Sequence, residues 1–416
     1  MDSISQRDGR FLWHPYTQHR LAAPFTSITR AKGSYLFDES GTPLLDAISS
    51  WWTTLHGHGH PYIAQKIHEQ ALNLEHVIFA GFTHEPAVNL AGRLLPLLPG
   101  DMSRLFFSDN GSTAVEVALK MAIQFHQNQG RPNRKKILAL QHAYHGDTFG
   151  AMSVSERGLF TQPFNGHLFP VEFVDIPTEE NESWKLPSLP WEEIACIIYE
   201  PVVQGAGGMR MYHLPSLEKL LTQCKDQGIL LIADEVMTGF GRTGTLFASE
   251  QIQVLPDIVC MSKGLTGGTL PMALTACREF IYEAFLQEDR LKTFFHGHSF
   301  TANPIGCAAA LASLDLLQDA ACQEQIRLIV TCHRQKVEQW KSEGRFLQPR
   351  SAGTILALEV EDKENNYLNT RKEAIMQMAL KKGVLLRPLG NTVYCMPPYS
   401  TNQEELDLIY RVMEMI

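Results

Sequence analysis

Short, nearly continuous apolar runs alternate with helical patterns between about residues 103 and 303. This alternation predicts a parallel sheet with crossover helices, and the continuous apolar character is typical of strands buried on both faces. The predicted strands are residues 104–108, 136–140, 195–200, 229–234 and 257–262. Because ligands of such sheets bind beyond the carboxyl ends of the strands, we expect the chemistry just after these runs.

The pattern changes beyond residue 303. An Ala- and Leu-rich helical stretch is predicted to about residue 340, and Ile375, Met378 and Ala379 repeat at helical spacing before Gly383, which suits a left-handed C-cap. The other elements predicted here are strands at 354–360, 384–388 and 392–396, a helix near 369–382 and a last helix from about residue 403. The N-terminal region predicts a hairpin that turns at residues 39–41.

Together these patterns predict an α/β fold, in which a large domain with a mainly parallel sheet accompanies a smaller α+β domain. The expected large domain covers residues 51–305, and the small C-terminal domain covers residues 306–416. Residues 1–50 form an N-terminal segment that is expected to pack with the small domain.

The composition excludes several classes of protein. The 416 residues are 44% apolar and 19% charged, which is ordinary for a globular chain, and the net charge is −9. Since no basic run offers a footprint for phosphate backbones, nucleic acid is not an expected partner. The polar first eight residues and the strand-length apolar runs predict a cytoplasmic protein without membrane spans. The eight scattered cysteines form no CxxC pair, and we expect reduced core residues.

The first chemical motif follows the first predicted strand. Residues 108–113 combine a tight turn, two hydroxyl side chains and a helix start at Gly111 and Ser112. Exposed backbone N–H groups and the helix dipole make such a helix start suited to a phosphate group. The alternative is an ordinary N-cap without a ligand. In the helix that follows, Val115, Ala118, Leu119 and Ala122 form one apolar face.

Two further motifs stand at the ends of later strands. Asp234 is either a strand-end cap or a carboxylate that pairs with the protonated ring nitrogen of a cofactor. A Mg²⁺-binding role in a P-loop nucleotidase is excluded, because the chain has no Gly-Lys dipeptide. Lys263 is either a surface charge or an amine whose partial burial suits it to bind a carbonyl carbon covalently. Tyr144 adds an aromatic face after another strand.

The three motifs together are typical of a pyridoxal phosphate site. They are a phosphate site at Gly111 and Ser112, a carboxylate for a ring nitrogen at Asp234 and a lysine at a strand end at Lys263, on successive units of one sheet. Residues 231–236, 239–244 and 262–264 resemble the signature of class III pyridoxal-phosphate aminotransferases. The resemblance implies a transferase of fold type I with pyridoxal 5'-phosphate as cofactor, acting as a homodimer. Further segments resemble the members of this family that act in biotin biosynthesis: residues 14–17, 49–52, 144–154, 387–390 and 396–399.

The resemblance also implies roles for individual residues. The cofactor is expected to be bound covalently by the catalytic Lys263, with Asp234 at its ring nitrogen, Gly111 and Ser112 at its phosphate and Tyr144 over its ring. The substrate pocket is expected to contain Tyr16, Trp51, Tyr144 and Lys263, with Arg387 binding a substrate carboxylate. The planar fork of Arg suits this task because it grips a carboxylate at two oxygens. Gly297, His298 and Ser299 would reach the cofactor phosphate in the neighbouring subunit.

Two segments depart from the family pattern. His298 and Ser299 stand where relatives often have Pro-Thr, and His56, His58 and His60 crowd a segment near the expected substrate pocket. The histidines leave open a metal-dependent hydrolase, with ligands at 56 and 58 or at 296 and 298, although no nearby carboxylate has a familiar ligand spacing. A non-catalytic relative is a further alternative, which the presence of Lys263 and Asp234 disfavours. The expected amino donor is S-adenosylmethionine, with lysine, ornithine or 4-aminobutyrate as alternatives.

Overall fold

The computed structural model describes residues 2–181, 183–186, 188–361 and 370–416. Its strands are β1 (Ile28–Lys32), β2 (Tyr35–Asp38), β3 (Pro43–Asp46), β4 (Met102–Ser108), β5 (Lys136–Leu140), β6 (Glu172–Val174), β7 (Ile194–Tyr199), β8 (Val203–Gln204), β9 (Arg210–Met211), β10 (Leu230–Asp234), β11 (Ile258–Met261), β12 (Ala273–Arg278), β13 (Leu347–Ala352), β14 (Ile355–Glu359), β15 (Val384–Leu385) and β16 (Thr392–Cys395). Its helices are α1 (Ile4–Phe11), α2 (Ser49–Trp52), α3 (Pro61–Asn73), α4 (Glu85–Leu94), α5 (Gly111–Asn128), α6 (Phe149–Ser153), α7 (Leu214–Asp226), α8 (Glu279–Glu283), α9 (Pro304–Gln318), α10 (Ala320–Glu343), α11 (Thr370–Lys381) and α12 (Gln403–Met413).

Seven strands form the central sheet, in the order β4-β12-β11-β10-β7-β5-β6. Strands β11, β10, β7, β5 and β6 pair in parallel, whereas β12 pairs antiparallel with both of its neighbours. The predicted mainly parallel sheet is therefore confirmed, and its five predicted strands are present with ends that differ by at most two residues. The sheet also contains β6 and β12, which the pattern did not predict. In β12, small Ala and Cys side chains give little of the β-branched signal that marks a strand.

Helix α5 packs against the central sheet through the face that the sequence predicts. Val115, Ala118, Leu119 and Ala122 are all buried, in one apolar cluster with residues of the sheet strands. This packing fixes the helix start at the carboxyl edge of the sheet. Seven of the eight cysteines are buried, as expected for core residues, and Cys322 is partly exposed.

The two chain ends share a second sheet. Strands β2 and β3 form the predicted hairpin, and β15 adds in parallel to β3, with Val384 opposite Leu45. A third sheet, in the order β13-β14-β16, carries the strands predicted near residues 354–360 and 392–396. The division into domains at residues 50 and 305 stays a prediction.

The helical stretch after residue 303 was predicted as one region, but the structure divides it into two helices. Helices α9 and α10 meet at an angle of 69°. Asp319 separates them with an extended backbone, and its carboxylate caps α10 by accepting a hydrogen bond from the Ala321 N–H at 2.8 Å. An Asp that caps a helix start is thus the local reason for the break. Gly383 has the predicted positive φ, at 77°, and residue 369 of the predicted helix lies outside the described residues.

Within the described residues, no single helix is long and apolar enough to cross a membrane. The bent pair α9 and α10 meets the criteria of length and composition only when the two helices are taken together.

Candidate active site

A cavity of about 400 Å³ opens at the carboxyl ends of the central strands. Most of its walls come from the segments that follow β4, β5, β7, β10 and β11, which is where a parallel sheet is expected to bind its ligand, and Trp52 and Thr53 at the end of α2 complete them. The residues that line it are Trp52, Thr53, Asp109, Asn110, Gly111, Ser112, Tyr144, His145, Gly146, Glu200, Asp234, Val236, Met237, Ser262, Lys263, Gly268, Thr269, Leu270 and Pro271. Gly111, Ser112, Tyr144, Asp234 and Lys263, which the sequence predicts for the cofactor, therefore face one space.

The start of α5 forms one end of this cavity. Asn110 caps the helix: its side chain accepts a hydrogen bond from the Thr113 N–H at 3.1 Å, and its own N–H donates to Thr113 Oγ1 at 3.2 Å. At Gly111, an added Cβ would lie 2.7 Å from Cγ1 of Val236, so that a side chain has no room there. Gly146 is equally restricted, since its Cβ would lie 2.0 Å from Oγ of Ser112. Two glycines thus keep backbone close to a helix N-terminus, the arrangement that binds anions.

Asp234 enters the cavity at the end of β10. Its Oδ2 lies 2.7 Å from Nδ1 of His145, and its Oδ1 accepts a hydrogen bond from the Val236 N–H at 3.1 Å. Both side chains of the pair are buried. A buried carboxylate held by two donors has a fixed orientation and supplies negative charge at a defined place in the cavity.

Lys263 follows the neighbouring strand β11. Because β10 and β11 run in parallel with Asp234 opposite Cys260, both functional groups lie at the same edge of the sheet. The Lys263 Nζ lies 4.6 Å from the ring centroid of Trp52, and the backbone has a positive φ of 45°. Burial lowers the pKa of the amine to about 8, against the opposing effect of the charges on Asp234 and Glu200. Its neutral, nucleophilic form is therefore more abundant near neutral pH than that of an ordinary lysine.

Glu200 is a cavity residue that the sequence did not single out. Its carboxylate accepts hydrogen bonds from the Gly205 N–H at 2.9 Å and from the Tyr144 N–H at 3.2 Å. Burial raises its pKa to about 7. The signal that could have found it is the one that marked Asp234, a carboxylate at the end of a buried strand. The two carboxylates lie close together because Tyr199, before Glu200, is opposite Ala233, before Asp234, in the sheet.

Tyr144 joins the cavity to the residues predicted for the substrate. Its hydroxyl oxygen lies 3.2 Å from that of Tyr16, whose hydroxyl donates a hydrogen bond to the carboxylate of Asp147. Burial raises the pKa of the Tyr144 hydroxyl above its ordinary value. Because the Tyr16 hydroxyl donates its proton to Asp147, the Tyr144 hydroxyl is the donor between the two tyrosines.

Tyr16, Trp51 and Arg387 meet next to Tyr144, although they come from distant parts of the chain. The guanidinium of Arg387 lies 4.7 Å from the ring centroid of Trp51, and the rings of Tyr16 and Trp51 are 5.8 Å apart. The structure therefore brings three predicted substrate residues together. The sequence missed Trp52, whose ring lies against Lys263 and donates a hydrogen bond from Nε1 to the Tyr394 hydroxyl at 2.8 Å.

Gly297, His298 and Ser299 are not among the residues that line the cavity. They lie in the loop between α8 and α9, where the His298 N–H donates to Thr301 Oγ1 at 3.1 Å. Two phenylalanines in the same loop, Phe295 and Phe300, are strongly exposed. This loop is therefore on the surface of the chain and outside its own cavity.

The clustered histidines have different partners. His56 Nε2 lies 3.0 Å from the Ser313 hydroxyl, whereas His58 Nε2 lies 2.9 Å from the Asp46 carboxylate. His296 Nδ1 lies 2.9 Å from Nζ of Lys120. In the described part of the chain, no three His, Cys, Asp or Glu side chains are grouped so that they could hold a metal ion.

The chain belongs to the class III aminotransferases. The model of the family described as Aminotransferase class-III matches residues 16–416, which confirms the resemblance predicted from the motifs. Among its relatives, the adenosylmethionine-8-amino-7-oxononanoate aminotransferase of Synechococcus elongatus is 47% identical over 411 residues, with 96% of each chain covered.

Solved structures agree with this assignment. The crystal structure of adenosylmethionine-8-amino-7-oxononanoate aminotransferase from Methanocaldococcus jannaschii superposes with a TM-score of 0.90 at 33% identity, covering 99% of this chain and 97% of that one. A PLP-bound amine transaminase from an uncultivated Pseudomonas species has a TM-score of 0.88 at 31% identity, with 97% of both chains covered. The predicted fold class, an α/β transferase of fold type I, is confirmed.

Proposed function

We propose that this aminotransferase uses pyridoxal 5'-phosphate to convert 8-amino-7-oxononanoate into 7,8-diaminononanoate in biotin biosynthesis, with S-adenosylmethionine as amino donor. The observation that carries the chemistry is the placement of the Lys263 amine and the Asp234 carboxylate at neighbouring strand ends of one cavity. The names of the relatives from Synechococcus elongatus and Methanocaldococcus jannaschii support the substrate.

The residues of the cavity fit pyridoxal phosphate. Gly111 and Ser112 would hold the phosphate, at a helix N-terminus where a side chain at position 111 would collide with its neighbour. Asp234 would accept a hydrogen bond from the protonated ring nitrogen, and Tyr144 would lie against the ring. Lys263 would bind the cofactor covalently.

When bound, the cofactor supplies a conjugated ring that accepts the electron pair released at the substrate carbon. Lys263 is proposed to do the proton transfer, since its amine has a pKa of about 8 and can both remove and return a proton near neutral pH. Asp234 would stabilise the positive charge on the ring nitrogen, and His145 fixes the orientation of this carboxylate. The face of Trp52 keeps water away from one side of Nζ.

Arg387 is proposed to bind the carboxylate of 8-amino-7-oxononanoate. Its guanidinium packs over Trp51, which fixes the plane of the fork, and the apolar chain of the substrate would lie along Trp51 and Tyr16. The same space would receive the donor in the other half of the reaction. Lysine, ornithine and 4-aminobutyrate are the alternative donors.

We also propose that the protein is a cytoplasmic homodimer whose active sites lie at the subunit interface. Gly297, His298 and Ser299 of one protomer would contact the cofactor phosphate in its partner. The support is the position of this loop on the surface, flanked by Phe295 and Phe300, because exposed large apolar side chains mark interaction surfaces.

The test is the absorption spectrum of the purified protein with added pyridoxal phosphate, before and after borohydride, followed by assay of 7,8-diaminononanoate by mass spectrometry. Each donor is supplied separately. We expect borohydride to fix the cofactor to Lys263 and S-adenosylmethionine to yield the product, while Lys263→Ala loses both and the exposed-site control Lys341→Ala keeps both. Full turnover by Lys263→Ala would refute the chemistry, and transfer from ornithine or 4-aminobutyrate to a different ketone would refute the substrate.

A further inference from the structure

The short element α2 (Ser49–Trp52), which carries the two tryptophans of the site, is a turn with a strained backbone and not a regular helix, since Ser50 and Trp51 have non-helical φ and ψ. Ser49, Ser50 and Trp52 have φ values of 51°, 59° and 65°. At Ser50 the ψ of −69° places the residue near the γ-turn of positive φ, which is rare and strained. Such conformations in non-glycine residues persist only where the surrounding structure fixes them. The turn at Ser49–Trp52 therefore needs an anchor.

Asp46 supplies this anchor from the end of β3. Its carboxylate is fully buried and accepts hydrogen bonds from the Ile48 N–H at 3.1 Å, the Ser50 N–H at 2.6 Å and the Ser50 hydroxyl at 3.1 Å. A side chain that bonds the backbone of two residues in a turn restricts the conformation of that turn. The strained Ser50 is thus held through both its backbone and its side chain.

His58 completes the set of partners around Asp46. Its Nε2 donates to Asp46 Oδ2 at 2.9 Å, and its backbone pairs with Gly33 through hydrogen bonds of 2.7 and 3.1 Å. A buried carboxylate is costly unless its oxygens are hydrogen-bonded, so the imidazole stabilises Asp46 in this place. The backbone pairing fixes His58 itself, which makes it a rigid support.

The anchored turn presents one tryptophan to each half of the site. Trp51 lies under the guanidinium of Arg387, and Trp52 lies under the amine of Lys263. A change in φ at Ser50 would rotate the peptide units that carry both rings. Only one or two residues separate Ser50 from the tryptophans. Loss of the anchor should therefore affect substrate binding at Arg387 through Trp51 and the Lys263 amine through Trp52.

We infer that Asp46 and His58 are positioning residues of the active site. The pair holds the Ser49–Trp52 turn in the strained conformation that sets the tryptophans against Arg387 and Lys263. This assigns a structural task to His58, one of the three clustered histidines at positions 56, 58 and 60. The activity part of the inference rests on the proposed function, whereas the backbone part does not.

The first measurement is hydrogen exchange by mass spectrometry on a peptide covering residues 47–54 in the cofactor-free protein. We expect His58→Ala and Asp46→Asn to raise its exchange rate about tenfold or more, because the turn loses its anchor. His58→Gln, whose amide can replace the Nε2 donor, should restore protection. The matched control is His126→Ala, a buried histidine with one hydrogen bond to the Ala195 carbonyl, at the opposite end of α5 from the cavity.

The second measurement separates KM from kcat in the cofactor-loaded variants. We expect His58→Ala to raise KM for 8-amino-7-oxononanoate about tenfold and to lower kcat several-fold, with His58→Gln within about threefold of wild type. The control variant should leave both constants within about twofold. Asp46→Asn, which keeps one acceptor oxygen, replaces His58→Ala if the latter does not fold.

Unchanged exchange in residues 47–54 for both His58→Ala and Asp46→Asn would overturn the inference, whatever the activity. Raised exchange with unchanged kcat and KM would overturn the link from the anchor to the site. If the wild-type protein does not turn over this substrate, the proposed function fails. The inference on Asp46 and His58 is then decided by the exchange data and by the KM of the same variants for the substrate that the enzyme does accept.

Discussion

The Asp234 carboxylate and the His145 imidazole form a buried pair, with 2.7 Å between Oδ2 and Nδ1. The two residues are 89 positions apart in the sequence and meet because β5 and β10 both flank β7 in the sheet. An ionised carboxylate only accepts hydrogen bonds, so Nδ1 carries the proton that is shared with it. His145 thus determines how Asp234 faces the cavity.

Replacing His145 should lower kcat, although His145 is not one of the groups that react. We expect His145→Ala to lower kcat about ten- to a hundredfold, because a hydrogen bond to a charged group is worth about 1.5–3 kcal/mol. His145→Asn should lose much less, since its amide N–H can take the place of Nδ1–H. Steady-state kinetics and titration with pyridoxal phosphate measure both effects. Equal losses in the two variants would show that the hydrogen bond is not what matters.

The lowered pKa of Lys263 predicts a conflict between stability and function. Below about pH 8 the folded protein carries a protonated amine at this partly buried position, which opposes folding. Lys263→Met removes this charge, so the cofactor-free variant should be more stable at pH 7, by up to about 3 kcal/mol from a pKa lowered from 10.5 to about 8. Denaturant unfolding of the cofactor-free proteins measures the difference.

The same pKa fixes the direction of the pH dependence. Between about pH 8 and pH 10.5 the unfolded chain binds more protons at this lysine than the folded chain, so wild-type stability gains with rising pH from this group. The advantage of Lys263→Met should therefore shrink across this range. Lys341→Met, at an exposed site, serves as control and should show no such trend. An advantage that stays constant from pH 7 to pH 10 would contradict the buried charge.

Gly111 should tolerate no larger residue while Val236 is present. An alanine Cβ would lie 2.7 Å from Cγ1 and 3.3 Å from Cγ2 of Val236. Overpacking of this kind costs about 1–3 kcal/mol, and here it also displaces the helix start proposed for the phosphate. We expect Gly111→Ala to lower both the unfolding free energy and the affinity for pyridoxal phosphate.

Val236→Ala removes both γ carbons and should rescue the Gly111→Ala variant. A double-mutant cycle on unfolding free energy and cofactor affinity measures the coupling between the two positions. We expect the double variant to bind pyridoxal phosphate more tightly than Gly111→Ala alone. Additive losses would mean that the collision does not explain the need for glycine.

The parts of the site that the sequence predicted are local. Asp234 and Lys263 each follow a buried apolar strand, and the rule that ligands bind at the carboxyl ends of parallel strands needs only that local pattern. Gly111 and Ser112 were found in the same way, from a strand, a turn and a helix start. The shared substrate pocket of Tyr16, Trp51 and Arg387 was implied instead by the resemblance to a family, because the three lie in distant segments.

What the sequence missed depends on contacts across the fold. Glu200 carries the same local signal as Asp234, a carboxylate at the end of a buried strand, but its place beside Asp234 in the cavity follows only once β7 and β10 are neighbours. Trp52 was passed over because two adjacent tryptophans cannot be told apart without the positive φ values of their turn. The break at Asp319 was missed because an Asp inside a helical pattern is compatible with both a continuous helix and a new cap.

Arg387 should control substrate affinity through the substrate carboxylate. We expect Arg387→Ala to raise KM for 8-amino-7-oxononanoate about ten- to a hundredfold, as lost hydrogen bonds to a charged group imply, with a smaller change in kcat. Arg387→Lys keeps the charge but loses the planar fork packed on Trp51, so its KM should lie between those of wild type and Arg387→Ala. The matched probe is the methyl ester of the substrate, which has no carboxylate to bind. Wild type and Arg387→Ala should differ little on the ester, and an equal loss on acid and ester would instead assign Arg387 to the packing of Trp51.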